Sequence, residues 1–256
     1  MRPYVLLETN WKAVKQANYE LAVLPWGATE AHNYHLPYGT DVIEAERIAI
    51  ECARLATARG ARVVVLPTIP FGVQTGQLDI ELCINMNPST QAAVLADVVH
   101  SLEVQGIHKL MIINSHGGND FRQMIRELQP QTDVFLCSAN WWQVGEARDY
   151  FTDLGDHAGE LETSVMLALA PELVLPLGEA GVGAERKSVV RGLRERWVWA
   201  PRPWTQVSAD TGIGNPARAT AEKGRAYLDE VVERLSSFMV DIASADVTAM
   251  YDEDGS

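Results

Sequence analysis

Cysteine is scarce: Cys52, Cys83 and Cys137 are the whole complement. An odd number without close pairs argues against a disulfide framework, and the lack of a CxxC pair argues against a thiolate zinc knot. Reduced thiols in a cytoplasmic protein are the expectation. Positive charge is also short. The chain has 21 Lys and Arg against 34 Asp and Glu, a net charge of −13. Such a surface repels nucleic acid and anionic membranes, so neither is expected as a partner. No stretch approaches ~20 apolar residues, and the N-terminus, MRPYVLLETNWKAVKQ, lacks an apolar h-region followed by a cleavage site. Neither a membrane span nor a secretion signal is therefore expected. No GxGxxG follows a strand, which argues against a dinucleotide-binding fold. Hydrophobic residues at 47% and charged residues at 21% are ordinary globular usage, so disorder is expected only in the short acidic tail from Tyr251.

What is present is an alternation. ELAVLPWG reads as a buried strand and loop, ARVVVLPTIP as a β-branched run ended by prolines, KLMIINSHGGN as strand and loop, and DVFLCSAN as a strand. Between and after them, 41–59, 88–105, 120–128, 160–170 and 217–243 read as helices, with Asn87 or Ser89 able to cap the second. The segment 178–216 has no clear period. The strands are near-continuous apolar runs, as expected of a mainly parallel sheet covered on both faces. The fold class is therefore α/β, and no boundary divides residues 1–256 into more than one domain.

Three polar, histidine-bearing segments follow strands or sit in the next loops: TEAHNYHLPYGTD, NSHGGN and GDHAGELETS. In open α/β sheets, ligands bind outside the carboxyl ends of the strands. The first segment places Glu30, His32, His35 and Asp41 within twelve positions. In extended backbone Glu30 and His32 point to one face. Asp41, at a helix start, could equally be a cap or dipole partner. His116 ends a strand before Gly117 and Gly118, a pair that permits a tight turn or close backbone approach. On a helical turn, His157 and Glu160 share a face, whereas Glu162 points elsewhere and reads as a surface or first-turn carboxylate. Mixed carboxylate and imidazole ligands suit Zn, Mn or Fe(II). Five candidates, Glu30, His32, Asp41, His116 and Glu160, suit two adjacent divalent ions if one carboxylate bridges.

These motifs resemble the creatininase (creatinine amidohydrolase) family. The pattern G-[ST]-x-E-Q-H-G-x-H-L-P-x-x-T-D stands here as GATEAHNYHLPYGTD, N-[GS]-H-G-G-N as NSHGGN, and H-A-G-E-x-E-T-S as HAGELETS. GIGNPARATAEKG is similar to the family's C-terminal signature, so the likeness spans nearly the whole chain. The resemblance implies a three-layer α/β/α sandwich, often assembled into hexamers. It implies one metal on Glu30 and His116, another on His32 and Glu160, Asp41 as the bridge, and His157 as the catalytic group that passes a proton to the leaving amine. The chain departs from creatininases by carrying Gly117 and Gly118 where they carry Tyr and Glu, and Ala31, Asn33 and Tyr34 where they carry Gln, Gly and Pro. The missing Glu is a metal ligand there, which the resemblance transfers to Glu160.

The implied activity is metal-dependent hydrolysis of a C–N bond in a cyclic or formyl amide, on a small-molecule substrate. Ring opening of a cyclic ketone or cyclitol derivative, or metal binding without catalysis, are the alternatives. His35, Gly117, Gly118, Glu162 and Trp141 are candidates for supporting the ligands or lining the pocket. Trp142 shares Trp141's position after a strand. Trp197, Trp199 and Trp204 fit a homo-oligomer interface, where Trp and Arg are enriched. His100 and His108 fall outside the motifs and read as structural.

Overall fold

A computed structural model describes residues 2–251. Of the tail expected to lack order, all but Tyr251 lies outside the described residues. Four strands form one parallel sheet: β1 (Leu21–Trp26), β2 (Val63–Val65), β3 (Lys109–Asn114) and β4 (Phe135–Asn140), in the order β2-β1-β3-β4. The apolar runs are central because both faces of the sheet are covered, so alternate residues have no solvent side to turn to. One face packs Leu21, Val23, Met111 and Ile113 against α2 (Thr40–Ala58), α5 (Glu160–Leu169) and α8 (Ala221–Ser244). The other packs Ala22, Leu24, Leu110 and Ile112 against α3 (Pro88–Val104) and Phe121, the first residue of α4 (Phe121–Leu128). The result is the expected three-layer sandwich with a parallel sheet.

Differences from expectation lie at ends and in loops. A short helix, α1 (Trp11–Ala17), precedes the sheet, capped by Asn10, whose side chain accepts from Ala13 N. Asn87 is the residue before α3, yet its side chain makes no cap; Pro88 starts that helix without an N–H to satisfy. The last helix starts at Ala221 and not at 217, because Thr220 Oγ1 accepts from Lys223 N and Pro216–Arg218 forms a separate 3-10 turn. Two one-turn helices, α6 (Arg191–Arg194) and α7 (Trp204–Val207), interrupt the aperiodic segment. Among the described residues no single helix is long and apolar enough to cross a membrane.

The chain leaves β1 outward to β2 and returns on the other side to β3. Its direction of winding therefore reverses between β1 and β3, where a crevice opens at the carboxyl ends. Residues 27–39 follow β1 there, and 115–120 follow β3. The aperiodic segment folds over this crevice. Asn33 exchanges two hydrogen bonds with Gly181, and Ile213 pairs with His157 through both backbone N–H groups. The second contact requires Gly214, whose φ is 136°. A Cβ there would lie 2.7 Å from Gly155 Cα and 2.9 Å from Gly159 Cα.

Candidate metal and active site

Glu30, His32, Asp41, His116, His157 and Glu162 converge at the mouth of that crevice. Their ligand atoms form three overlapping groups: Glu30, Asp41 and His116; His32, Asp41 and Glu162; and Glu30, His32 and His157. Asp41 belongs to the first two. It sits in the first turn of α2, but Gly39 is the residue before the helix and no side chain caps it. The Asp41 carboxylate points into the cluster.

Each of the three imidazoles is turned the same way. His32 Nδ1 lies 3.1 Å from the Glu30 carbonyl, His116 Nε2 2.9 Å from the Val73 carbonyl, and His157 Nε2 2.7 Å from the Ala31 carbonyl. A carbonyl only accepts, so these nitrogens donate. The opposite nitrogens face carboxylates. His116 Nδ1 is 2.9 Å from Glu30 Oε1 and 3.1 Å from Asp41 Oδ2; His32 Nε2 is 2.9 Å from Asp41 Oδ1 and 3.6 Å from Glu162 Oε1; His157 Nδ1 is 3.8 Å from Glu30 Oε1. Close as they are, two of these buried atoms, His32 Nε2 and Asp41 Oδ2, are left without a well-aligned hydrogen-bond partner. Gly118 makes room for His116, since a Cβ there would lie 2.0 Å from the Val73 oxygen and 2.6 Å from His116 Nε2.

Charge in the cluster is shared. Burial pushes Glu30, Asp41 and Glu162 upward, but the facing imidazoles outweigh it and hold all three below ordinary carboxyl values. Burial likewise pushes His32 and His116 down. It is outweighed by Asp41 and Glu162 on the one and by Glu30 and Asp41 on the other, which raise both well above an ordinary imidazole. Such a centre holds protons tightly where a cation would otherwise sit.

Glu160 is a correction to the sequence reading. Its carboxylate lies outside all three groups: Oε2 accepts from the backbone N–H of Thr152 and Asp153, and Oε1 is 2.5 Å from Lys223 Nζ. The expectation assumed helical phase from 157 onward. Ala158 instead adopts φ 51°, Gly159 is extended, and α5 begins only at Glu160, so His157 and Glu160 point apart. Glu162, expected to face elsewhere, turns its Oε1 toward His32 and accepts with Oε2 from Ala158 N. His35 also stays out. Its Nε2 lies 2.9 Å from Thr163 Oγ1, and burial pushes the imidazole down to about 4, so it is neutral near pH 7.

A cavity of about 210 Å³ opens beside the cluster, lined by Glu30, Asp41, His116, His157 and Glu162 on one side and by Trp141, Trp142, Leu154 and Leu161 on the other. Gly117 lies on its rim, where a Cβ would meet nothing within 4 Å. A larger hollow of about 890 Å³ sits at the amino ends of the strands, beside Glu20 and Lys109, and holds none of these groups.

Several contributors were not legible as functional. Gln77 donates from Nε2 to Glu30 Oε2, and Cys83 donates to Gln77 Oε1 at 3.3 Å; burial raises the Cys83 thiol, so it keeps that proton. Trp141 Nε1 donates to Ser115 Oγ at 2.7 Å, and Ser115 donates to Glu44 Oε2 at 3.0 Å. Burial, then Glu162 and Asp41, push Glu44 well above its ordinary value. Its place three residues after Asp41 on one helix face was the available signal. Trp204 sets its ring edge-on against His157, centroids 5.3 Å apart, while Trp197 and Trp199 are exposed.

Comparison with known proteins identifies the family. The family model described as creatinine amidohydrolase matches residues 7–239. A "Mycofactocin precursor peptide peptidase" from Mycobacterium ulcerans is 29% identical over 239 residues, covering 89% of this chain and 87% of its own. A crystal structure of a protein from Bacteroides fragilis NCTC 9343, provisionally named a creatinine amidohydrolase, superposes with a TM-score of 0.91 at 43% identity. It covers 96% of this chain and 99% of its own. Structures described as creatininase with Mn and as a Zn–Zn creatininase variant share the fold, each at TM-score 0.73 and 22% identity, covering 92% of this chain and 97% and 96% of their own. With its parallel sheet between two helical layers and a family match over nearly its whole length, the chain belongs to the creatininase family of hydrolases.

Proposed function

We propose that the chain is a metal-dependent hydrolase of amide C–N bonds, with two divalent ions held side by side. Glu30, Asp41 and His116 would hold one, and His32, Asp41 and Glu162 the other, with Asp41 shared. The observation that carries this reading is the common orientation of the imidazoles. Backbone carbonyls fix one nitrogen of each, so the free nitrogens and the carboxylates share a centre that their own hydrogen bonding leaves unsatisfied. Oxygen and nitrogen donors without thiolate suit Zn, Mn or Fe(II). When bound, the ions polarise an amide carbonyl and lower the pKa of a water molecule, to about 7 in favourable sites.

The chain's own residues supply orientation and protons. Trp141, Trp142, Leu154 and Leu161 form an apolar wall that positions the substrate and limits water in the cavity. His157 presents Nδ1 to the cavity while its Nε2–H stays on the Ala31 carbonyl. Nδ1 is thus placed to pass a proton to the leaving nitrogen, which departs poorly unless protonated. The small cavity fits a cyclic or formyl amide. The open rim at Gly117 and the peptidase name of the mycobacterial relative favour a second reading, a peptide bond near the end of a short peptide. A cytoplasmic location, a homo-oligomeric assembly and the absence of nucleic-acid and membrane partners are part of the same proposal.

The test has two arms. Elemental analysis of protein purified without chelator should find close to two divalent ions per chain. Amine release should then be followed on lactams, formamides, cyclic ureas and short peptides. Only trace metal in well-folded protein would refute the metal centre. Ring opening without a new amine would replace amide hydrolysis by the cyclic-ketone alternative.

A further inference from the structure

Glu30 has two carboxylate oxygens, and only Oε1 faces the cluster. Oε2 turns back toward residues 74–84, a loop in which the sequence shows no period. There it accepts from Gln77 Nε2, the side chain of a residue that is 3% exposed. A glutamine amide has a donor end and an acceptor end, and a carboxylate only accepts, so Nε2 is the end that meets Glu30. Cys83 holds the amide in that orientation from its other end. Its thiol donates to Gln77 Oε1 at 3.3 Å, which leaves Nε2 for Glu30. The sulfur in turn accepts from Ala31 N at 3.3 Å. The path therefore closes on itself: from the backbone N–H of Ala31, through the thiol and the amide, to the side chain of the preceding residue. The loop is anchored independently of this path. Gln74 Nε2 donates to the Thr29 carbonyl at 2.7 Å, and Ile84 N donates to the Thr29 carbonyl at 3.1 Å.

We propose that Gln77, oriented by Cys83, is a positioning residue of the metal centre, fixing the Glu30 carboxylate so that Oε1 is held toward the ion shared with His116 and Asp41. The proposal rests on the two-ion reading of the site. It assigns the 74–84 loop a task in setting the affinity of one ion. Groups that orient a ligand in this way change metal affinity by about 10–100-fold when removed.

The experiment measures Zn²⁺ affinity by chelator competition, and the melting of the metal-free protein, for wild type, Gln77→Leu, Cys83→Ala and Cys83→Ser. Gln77→Leu should weaken one of the two ions by about 10–100-fold and leave the other unchanged. Cys83→Ala should weaken the same ion by less. Cys83→Ser keeps a donor and an acceptor and should restore it. A purely structural Gln77 would instead lower the metal-free melting temperature and weaken both ions alike, which overturns the proposal. So does Gln77→Leu binding both ions as tightly as wild type. If Gln77→Leu fails to fold, Cys83→Ala decides, and wild-type affinity in that variant overturns the orienting role. A wild-type protein that binds no Zn²⁺ brings down the two-ion reading itself, a result separable from the others.

Discussion

Glu160→Ala and Glu162→Ala remove the same group two residues apart on one helix, and the structure assigns them opposite consequences. In Glu160→Ala, two backbone N–H groups, of Thr152 and Asp153, lose a charged acceptor, and Lys223 loses its partner. Hydrogen bonds to charged groups contribute about 1.5–3 kcal/mol each. The Lys223 end is a third exposed, so its ion pair adds little after solvent screening. The loss is then about 3–6 kcal/mol. An unfolding entropy near 2.1 cal/mol/K per residue converts this to a fall of about 6–11 °C in melting temperature for a chain of this length. Both ions should remain. In Glu162→Ala the metal-free protein loses one charged acceptor, that of Ala158 N, so its melting temperature should fall by about half as much. The ion shared with His32 and Asp41 should weaken by at least the ~10–100-fold typical of losing a supporting group. Calorimetry of the metal-free variants and elemental analysis of the loaded ones separate the two. Loss of an ion from Glu160→Ala without thermal destabilisation, or two tightly held ions in Glu162→Ala, would refute the assignment.

Asp41→Ala should release both ions and abolish the thermal stabilisation that metal confers by mass action; unchanged melting of the metal-supplemented variant would contradict the bridging role. His157→Ala should keep both ions and lower turnover by about 10²–10⁴-fold, read as metal content and amine release on one sample. Loss of an ion there would make His157 a ligand. Metal affinity should rise with pH, because ions and protons compete for His32 Nε2 and His116 Nδ1. The metal-free protein should behave oppositely. Its raised imidazoles contribute stability fully present below the ordinary His value of about 6.5 and lost as pH climbs through the raised values. Melting curves of both forms across pH 6–9 should diverge; parallel curves would argue against proton–metal competition.

The sheet and its covering helices were legible because burial on both faces writes strands as unbroken apolar runs, and because α2, α3, α4 and α5 begin and end close to where their patterns do. The loop that carries the candidate ligands was legible because period-2 backbone puts Glu30 and His32 on one side, and ligand-type residues crowd it. The third motif was misread by phase. Helical geometry was carried back to His157, but a non-glycine residue with positive φ, Ala158, intervenes, and nothing in the letters HAGELETS announces that turn. Gln77 and Ser115 act through hydrogen bonds set by tertiary contacts, and neither residue type marks a metal site. Glu160 looked like a ligand because helical spacing set it beside His157 and the family resemblance moved a ligand carboxylate there. Its partners are instead Lys223 and the backbone of Thr152 and Asp153, sixty-odd residues ahead on one side and seven or eight behind on the other.

The histidines are held by the main chain. The oxygens of Glu30, Ala31 and Val73 do the holding, and a main-chain oxygen is present whatever side chain its residue carries. Positions 31 and 73 can therefore drift in sequence while the imidazoles keep their aim, provided the backbone path is kept. Positions that protect that path, Gly118 beside the Val73 oxygen among them, cannot drift so freely. For protein engineering this separates two kinds of neighbour around the proposed metal centre: residues that can be exchanged to reshape what the cavity accepts, and small residues whose replacement would displace a histidine without touching it chemically.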